Sequence, residues 1–189
     1  MTRRGVRYGV LLVAFLLPAA CLQAQVVDTA RSHFGFEVRT RIGQRIEGVF
    51  PHYEAVMDAL PDGRKQVRLT LYTREVEIPG RDTHTRWARG DSFFDAARYP
   101  VITFVSQPYN PQLLAEGGEL DGVLTIRGIS HPERLWVAEP DCARAALDCD
   151  AVVRGSVRRA RYGMDNWQWA LGDRVAFVLR VRLKDEAKD

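Results

Sequence analysis

Hydrophobic and polar residues alternate along most of the chain from residue 26 onward. The clearest case is the run from Val175 to Leu183, in which every second residue is apolar, and a similar alternation covers Phe34 to Val38. A period of two residues is typical of β-strands that bury one face, whereas a helix repeats every 3.6 residues. The pattern predicts eight strands, near residues 31–39, 44–55, 65–73, 99–106, 119–127, 133–139, 151–157 and 173–183.

Short clusters of turn-forming residues separate these runs, for example at residues 61–63 and 79–80. Eight antiparallel strands can close into a barrel whose interior is filled by side chains or holds one small ligand. Residues 84–97 lack the alternation, and Asp91-Ser92 ahead of Phe93-Phe94 is typical of a capped helical turn. We therefore predict an all-β fold, an extended antiparallel eight-stranded barrel with a short helix near residues 84–97.

The N-terminal segment sets the expected compartment. Three arginines precede the apolar run Val10–Leu17, and small residues follow it up to Ala24, which is the order of a secretory signal peptide. The apolar run is too short to span a bilayer of about 30 Å. We predict a signal peptide over residues 1–24, a domain over residues 25–189 and a periplasmic location. A lipoprotein modified at Cys21 is the alternative, although Pro18 stands where such signals place Leu.

Cleavage there leaves two cysteines, Cys142 and Cys149, on either side of a short loop. An even number of cysteines in an oxidising compartment predicts a disulfide. The interpretation as a metal site is weak, because two thiols without a neighbouring His make half a site.

Charge excludes one class of partner. Removing the three arginines of residues 1–24 from the 27 basic side chains leaves 24, which equals the number of acidic ones. A net charge near zero excludes a globally basic nucleic-acid-binding protein and weakens the case for attraction to anionic lipid surfaces. We expect no nucleic-acid partner and no stable membrane insertion, and a homodimer through an outer sheet face stays open.

Several motifs then occur in a recognisable order over nearly the whole chain after residue 24. They are Ser32-x-Phe34-x-Phe36-x-Val38, Gly48-Val-Phe50, Arg89-Gly-Asp-Ser-Phe-Phe-Asp95 with Tyr99–Ser106, Asp121–Gly128, Arg159-x-x-Tyr-Gly-Met164 and Leu171-Gly-Asp-x-Val175. In these motifs the chain resembles the YceI-like family of periplasmic, lipocalin-like isoprenoid-binding proteins. Thr40, the cysteine pair and Trp167-Gln-Trp169 depart from the common family pattern.

The resemblance implies an apolar channel that holds a polyisoprenoid or a similar amphiphile. A long thin ligand suits strands of nine residues, which span about 30 Å. We expect no cofactor other than such an isoprenoid or acyl lipid. The predicted ligand-binding residues are Phe34, Phe36, Val38, Phe94, Ile102, Phe104, Leu124, Ile126, Met164, Phe177 and Leu179. The alternative is that the same side chains form a solid core and the protein has a structural or stress role.

Three surface features each have a functional and a structural interpretation. Phe93-Phe94-Asp95 either gates the channel or anchors a helix to the barrel end. Trp167 and Trp169 either rim the opening or cover an exposed edge. The basic cluster either binds a phosphate or polar head group or is a solvated strand face with Arg159 paired to a carboxylate; it consists of Arg154, Arg158, Arg159 and Arg161.

Catalysis has little support in the sequence. The four histidines are scattered, none has a metal-ligand spacing, and nucleophile-elbow, phosphate-loop and dinucleotide motifs do not occur. We predict a binding protein without catalytic or metal-ligating residues. The alternative from another class is a lipid-modifying enzyme that uses His84 with Asp82.

Overall fold

Ten strands and two short helices make up the fold of residues 25–184. The computed structural model describes residues 25–184, so the predicted signal peptide over residues 1–24 and the alternative lipidation at Cys21 lie outside the described residues. The strands are β1 (Gln25–Val26), β2 (His33–Thr40), β3 (Arg45–Val49), β4 (Tyr53–Ala59), β5 (Lys65–Tyr72), β6 (Val101–Ser106), β7 (Gly118–Ile126), β8 (Ile129–Val137), β9 (Ala151–Arg158) and β10 (Leu171–Val181). The α-helices are α1 (Asp82–Arg89) and α2 (Leu113–Glu116), and single 3₁₀ turns cover Thr73–Glu75 and Arg159–Tyr162.

All ten strands belong to one curled antiparallel sheet, in the order β1-β4-β5-β6-β7-β8-β9-β10-β2-β3. The prediction of an all-β antiparallel fold is confirmed, with two corrections. The expected closed barrel is a curled sheet whose edge strands, β1 and β3, share no ladder within residues 25–184. Single bridges hold these edges instead, between Val27 and Leu183 and between Val49 and Glu77.

The sheet has ten strands where the sequence predicted eight, because one predicted strand is divided in two and one further strand was not predicted. The run predicted over residues 44–55 is divided into β3 and β4 at Pro51, which has no backbone N–H to donate to a ladder. The chain therefore leaves its pairing with β2 and continues beside β5. The second additional strand is the two-residue β1, which pairs with β4.

The predicted helix near residues 84–97 is shorter and lies earlier. It begins at Asp82 and ends at Arg89, where the Gly90 N–H bonds to the carbonyl of Trp87. Residues 91–97 form successive tight turns, and Asp95 adopts a positive φ of 49°. Asp91 therefore does not cap the helix, whose first residue follows Arg81.

The inner face of the sheet is the apolar stripe that the alternation predicted. Phe104 lies opposite Leu69 on one neighbouring strand and Leu124 on the other. Phe177 and Leu179 lie opposite Phe36 and Phe34. These side chains are all buried.

Two strand glycines leave space for large rings on this face. A Cβ atom added at Gly122 would overlap the Phe104 ring, and one at Gly48 would overlap the Phe36 ring. Glycine in a strand interior often marks such a close approach. This explains physically why glycine occurs in the Asp121-Gly122 and Gly48-Val49-Phe50 motifs.

Candidate functional site

An apolar cavity lies at one end of the curled sheet, where β2 ends and β10 begins, and we call it the mouth pocket. Its volume is about 290 Å³. Side chains of β2, β3, α1, the segments on either side of α1, and the Trp167–Leu171 region at the start of β10 form its wall. They include Phe36, Val38, Ile46, Ile78, Ala88, Phe93, Ala170 and Leu171, with Thr40, His84 and Ser92 as polar neighbours.

Three tryptophans stand at the opening of the mouth pocket. Trp87 of α1 stacks on Trp167 with ring centroids 5.5 Å apart, and Trp167 contacts Trp169 at 5.6 Å. Trp87 is 50% exposed and Trp169 is 77% exposed. Both tryptophans of the 167–169 segment therefore lie at the opening, as one interpretation of the sequence held.

We call residues 163–170, which carry Trp167 and Trp169, the Trp loop, and a buried arginine holds it. Arg159 is 1% exposed, and its guanidinium donates to the backbone carbonyls of Met164, Asn166 and Gly172. Burial lowers the pKa of Arg159, partly offset by the carboxylates of Asp173 and Asp165. The expected pairing of Arg159 with a carboxylate on a solvated face is wrong. Arg159 lies two residues after the buried Val157, so its side chain continues the inward-facing positions of β9.

The rest of the basic cluster has a different environment. Arg154, Arg158 and Arg161 are exposed, unlike Arg159. Arg161 donates to Glu133, which also accepts a hydrogen bond from the Tyr162 hydroxyl. Burial and this bond to Glu133 raise the pKa of Tyr162. The four arginines therefore do not form one anion site.

Aromatic rings form the inner wall of the mouth pocket. Phe36 and Phe93 contact the pocket directly, and Phe94 packs edge-on against both, with centroid distances of 5.6 Å and 4.6 Å. Phe50 packs against Phe36 at 5.5 Å. Phe94 is buried behind the pocket, so it is not at the opening where a gate would lie.

Two narrower apolar cavities lie deeper inside the curled sheet. The larger measures about 70 Å³ and the smaller about 30 Å³. They share four bordering side chains, so together they follow one axis through the interior: Leu69, Phe104, Leu135 and Leu179. Water occupies about 30 Å³ in the liquid, so these spaces are small compared with a lipid chain.

The predicted ligand-binding residues are therefore distributed along the interior. Phe36 and Val38 line the mouth pocket. Five of them line the smaller of the deeper cavities: Ile102, Phe104, Leu124, Phe177 and Leu179. Phe104 and Leu179 also line the larger one, as does Phe34. Phe94, Ile126 and Met164 are buried but border none of these three cavities.

The opposite end of the sheet is covered. The predicted disulfide between Cys142 and Cys149 is present, with an S–S distance of 2.04 Å. The loop that it closes bonds to the two residues that follow β10, through the Leu183 N–H to the Ala146 carbonyl and the Arg182 guanidinium to the Leu147 carbonyl. Ala146 borders the 70 Å³ cavity together with Leu113 and Leu114 of α2. We call this the covered end.

The acid–base pair of the enzyme hypothesis is not assembled. His84 borders the mouth pocket and packs on Trp87 at 5.1 Å. Asp82 lies two residues away on α1, and side chains at that spacing do not face each other on a helix. Across residues 25–184, no three His, Cys, Asp or Glu side chains cluster closely enough to hold a metal ion. In the same part of the chain no helix is long and apolar enough to cross a membrane.

Sequence reasoning missed several residues of the mouth pocket. Trp87, Ile46, Ile78 and Leu171 border it, but none was among the predicted ligand-binding residues. The apolar positions Trp87 and Ala88 within an otherwise polar stretch were the available signal, since they face the pocket together.

Comparison with known proteins supports the fold assignment. The sequence profile of the YceI-like domain matches residues 25–183. The structure is similar to Burkholderia cenocepacia BcnA, at 21% identity and a TM-score of 0.65, covering 82% of this chain and 98% of that one. It is also similar to a polyisoprenoid binding domain from Saccharophagus degradans, at 17% identity and a TM-score of 0.58, covering 86% and 99%.

A third similar structure is the Campylobacter jejuni YCEI protein, at 23% identity and a TM-score of 0.59, covering 76% of this chain and 87% of that one. At such identities the similarity shows the shared fold. No curated protein sequence matches the chain.

Proposed function

The chain belongs to the YceI-like domain family, and from this premise we propose that it is a periplasmic carrier that holds an isoprenoid or a similar long amphiphile by its apolar chain. The observation that carries the proposal is the mouth pocket, an apolar cavity of about 290 Å³ that opens to solvent. The Saccharophagus degradans domain of the same fold is described as polyisoprenoid binding, which supports this ligand class.

The pocket is large enough to hold the beginning of a chain. Its volume corresponds to about ten groups of the size of a water molecule, and a methylene group is of similar size. Burial of each methylene contributes about 0.8 kcal/mol, so ten contribute about 8 kcal/mol before the cost of ordering the ligand. No charged group is required for binding of this strength.

A longer chain extends inward along the axis of the deeper cavities. Phe36, Phe93 and Phe94 lie across this path, so their rings have to move before a chain can reach Phe104 and Leu179. The polar head stays at the opening, near His84, Thr40 and Ser92, where its hydrogen bonds with water are kept.

Two further features support a periplasmic location. Residues 1–24 have the order of a secretory signal. The Cys142–Cys149 disulfide is typical of proteins in an oxidising compartment.

Filling the mouth pocket tests the proposal. Ala170 is half-buried against the pocket, so Ala170→Phe places a ring where the ligand chain enters. The matched control is Ala115→Phe, which adds the same ring at an exposed position of α2. We expect Ala170→Phe to weaken the binding of tritiated farnesol and palmitate at least tenfold, and Ala115→Phe to bind them as the parent does.

Two outcomes contradict the carrier function. If the parent protein binds neither probe, the structural role with a solid core is favoured. If His84→Ala leaves probe binding unchanged but abolishes conversion of a lipid, the protein is an enzyme and not a carrier.

A further inference from the structure

Exposed apolar side chains surround the opening of the mouth pocket on three sides. Besides the tryptophans of α1 and the Trp loop, Ile42 is 81% exposed at the tip of the β2–β3 turn. That turn is joined to the Trp loop, because the Arg41 N–H bonds to the Ala170 carbonyl and its guanidinium to the Gln168 carbonyl. Ile42, Trp87, Trp167 and Trp169 together are called the rim. Exposed apolar groups that form one patch mark an interaction surface.

The backbone at the rim holds a large ring in an unfavourable conformation. Trp167 has a φ of 64°, in the left-handed region that favours glycine. Strained residues of this kind cluster at functional sites. The ring is kept there by Trp87 on one side and Trp169 on the other.

Positive charge is concentrated around the rim. Residues 39–45, 81–89 and 163–171 contain six arginines against Asp82 and Asp165, and Glu37 adds one carboxylate that pairs with Arg39 and Arg45. Arg41, Arg81 and Arg86 are exposed and form no ion pair within residues 25–184.

The covered end has the opposite charge. Its segment 139–150 contains four acidic residues and one arginine, and Asp148 pairs with Arg144 while Asp150 pairs with Arg182, so Glu139 and Asp141 carry the negative excess. The near-zero net charge of residues 25–189 therefore conceals a positive open end and a negative covered end. The total charge, which predicts weak attraction to anionic lipid surfaces, describes neither end.

We infer that the rim is a docking surface for an anionic lipid bilayer, on which the protein stands with its mouth pocket facing the membrane. Tryptophan suits this position because its ring is apolar while its N–H bonds in the headgroup region. The arginines attract the anionic surface and the acidic covered end is repelled by it, so the charges orient the molecule. The rim can bind a bilayer whether or not the mouth pocket carries a lipid.

A second copy of the chain is a poorer partner for the rim. A two-fold symmetric contact would place one positive rim against another, and juxtaposed like charges are unfavourable. An anionic bilayer instead complements both the positive charge and the exposed apolar side chains of the rim.

Flotation with vesicles tests the inference. The purified protein is mixed with vesicles of equal parts phosphatidylglycerol and phosphatidylcholine, or of phosphatidylcholine alone. We expect binding to the anionic vesicles that weakens as salt is added, because salt screens exposed charges. Arg81→Gln and Arg86→Gln should each lower the affinity about fivefold, the effect of one arginine near such a surface. Ile42→Ser and Trp169→Ala should each lower it tenfold or more.

The outer face of the sheet provides a matched control. Trp136 is 54% exposed and lies opposite Arg154 on the neighbouring strand, so it presents the same two side-chain types away from the rim. Trp136→Ala and Arg154→Gln should bind vesicles as the parent does. Because Ile42 does not line the pocket, Ile42→Ser should lose vesicle binding and keep farnesol binding, which separates this inference from the carrier function.

Four results would overturn the inference. They are the absence of vesicle binding, equal binding to phosphatidylcholine alone, an equal loss in Trp136→Ala, and rim variants that change only the oligomeric state in light scattering. The last result would assign the rim to contact between copies of the chain, including a head-to-tail contact with the acidic covered end.

Discussion

The two ends of the curled sheet consist of the same kind of strand but differ in the segments that cover them. At the covered end, the disulfide-closed loop and α2 pack over the strands and leave a cavity of about 70 Å³. At the open end, α1 and the Trp loop meet at the Trp87–Trp167 stack and leave the mouth pocket of about 290 Å³. Arg159 holds the Trp loop from within, through backbone carbonyls alone.

This difference separates stability from binding. The middle of the sheet and its covered end contain tightly packed aliphatic and phenyl side chains, so substitutions there should affect the free energy of unfolding. The open end contains exposed rings around free volume, so substitutions at its surface should affect ligand and surface binding with little effect on stability.

The largest effect is expected in the packed middle. Phe104 is buried between Leu69 and Leu124 and borders both deeper cavities. Phe104→Ala should lower the free energy of unfolding by about 3–5 kcal/mol in urea denaturation, because it enlarges a cavity that the surroundings cannot fill. Trp169→Ala is the matched aromatic truncation at the open end and should change stability by about 0.5 kcal/mol or less. Equal losses in the two variants would contradict the comparison.

Removal of the Arg159 guanidinium should have the next largest effect. Arg159→Met leaves buried carbonyls of the Trp loop without donors, at a cost of about 2–4 kcal/mol. Tryptophan emission should also shift to longer wavelength as Trp167 loses its packing. The control Arg158→Met removes an exposed neighbour and should leave both quantities unchanged. An unchanged emission spectrum in Arg159→Met would show that the arginine does not hold the loop.

Loss of the disulfide should destabilise the covered end. A cross-linked loop of about eight residues contributes roughly 2.5 kcal/mol by restricting the unfolded chain. Cys142→Ser/Cys149→Ser should therefore lower the unfolding free energy by that amount, and farnesol binding at the other end should persist. Loss of binding without loss of stability would reverse the assignment of roles to the two ends.

The smallest effect concerns alkaline pH at the covered end. Burial raises the pKa of Tyr109, which borders the 70 Å³ cavity, to about 12. A tyrosine in the unfolded chain titrates near pH 10, so the unfolded state loses this proton at a lower pH than the folded state does. As the pH rises above about 10, the unfolded state is therefore stabilised relative to the folded state. The contribution of Tyr109 is intact below about pH 10 and declines by on the order of 1–2 kcal/mol between about pH 10 and 12. Tyr109→Phe should flatten this part of the stability profile, and an identical alkaline slope in the variant would refute the role of Tyr109.

The strands and the apolar stripe were predictable because each depends on local alternation. Phe34, Phe36 and Val38 face inward as the period of two indicated, and Phe36 and Phe34 meet Phe177 and Leu179 across the β2–β10 ladder. Pro51 divided one predicted strand, although its missing N–H was visible in the sequence.

The mouth pocket was less predictable because distant segments build it. Trp87 and Trp167 meet only after β10 has placed the Trp loop beside α1, and alternation within one segment carries no information on that contact. Arg159 resembles its exposed neighbours only in charge, because Ala151, Val153 and Val157 place the odd-numbered positions of β9 on the inner face and Arg159 continues that alternation.

Native mass spectrometry tests the central claim of lipid carriage most directly. The protein is purified without detergent from the cells that express it. The account predicts a population heavier than the polypeptide by the mass of one amphiphile, which organic extraction removes and which Ala170→Phe depletes. A protein that carries only its own mass, and that gains none when incubated with farnesol or palmitate, would contradict it.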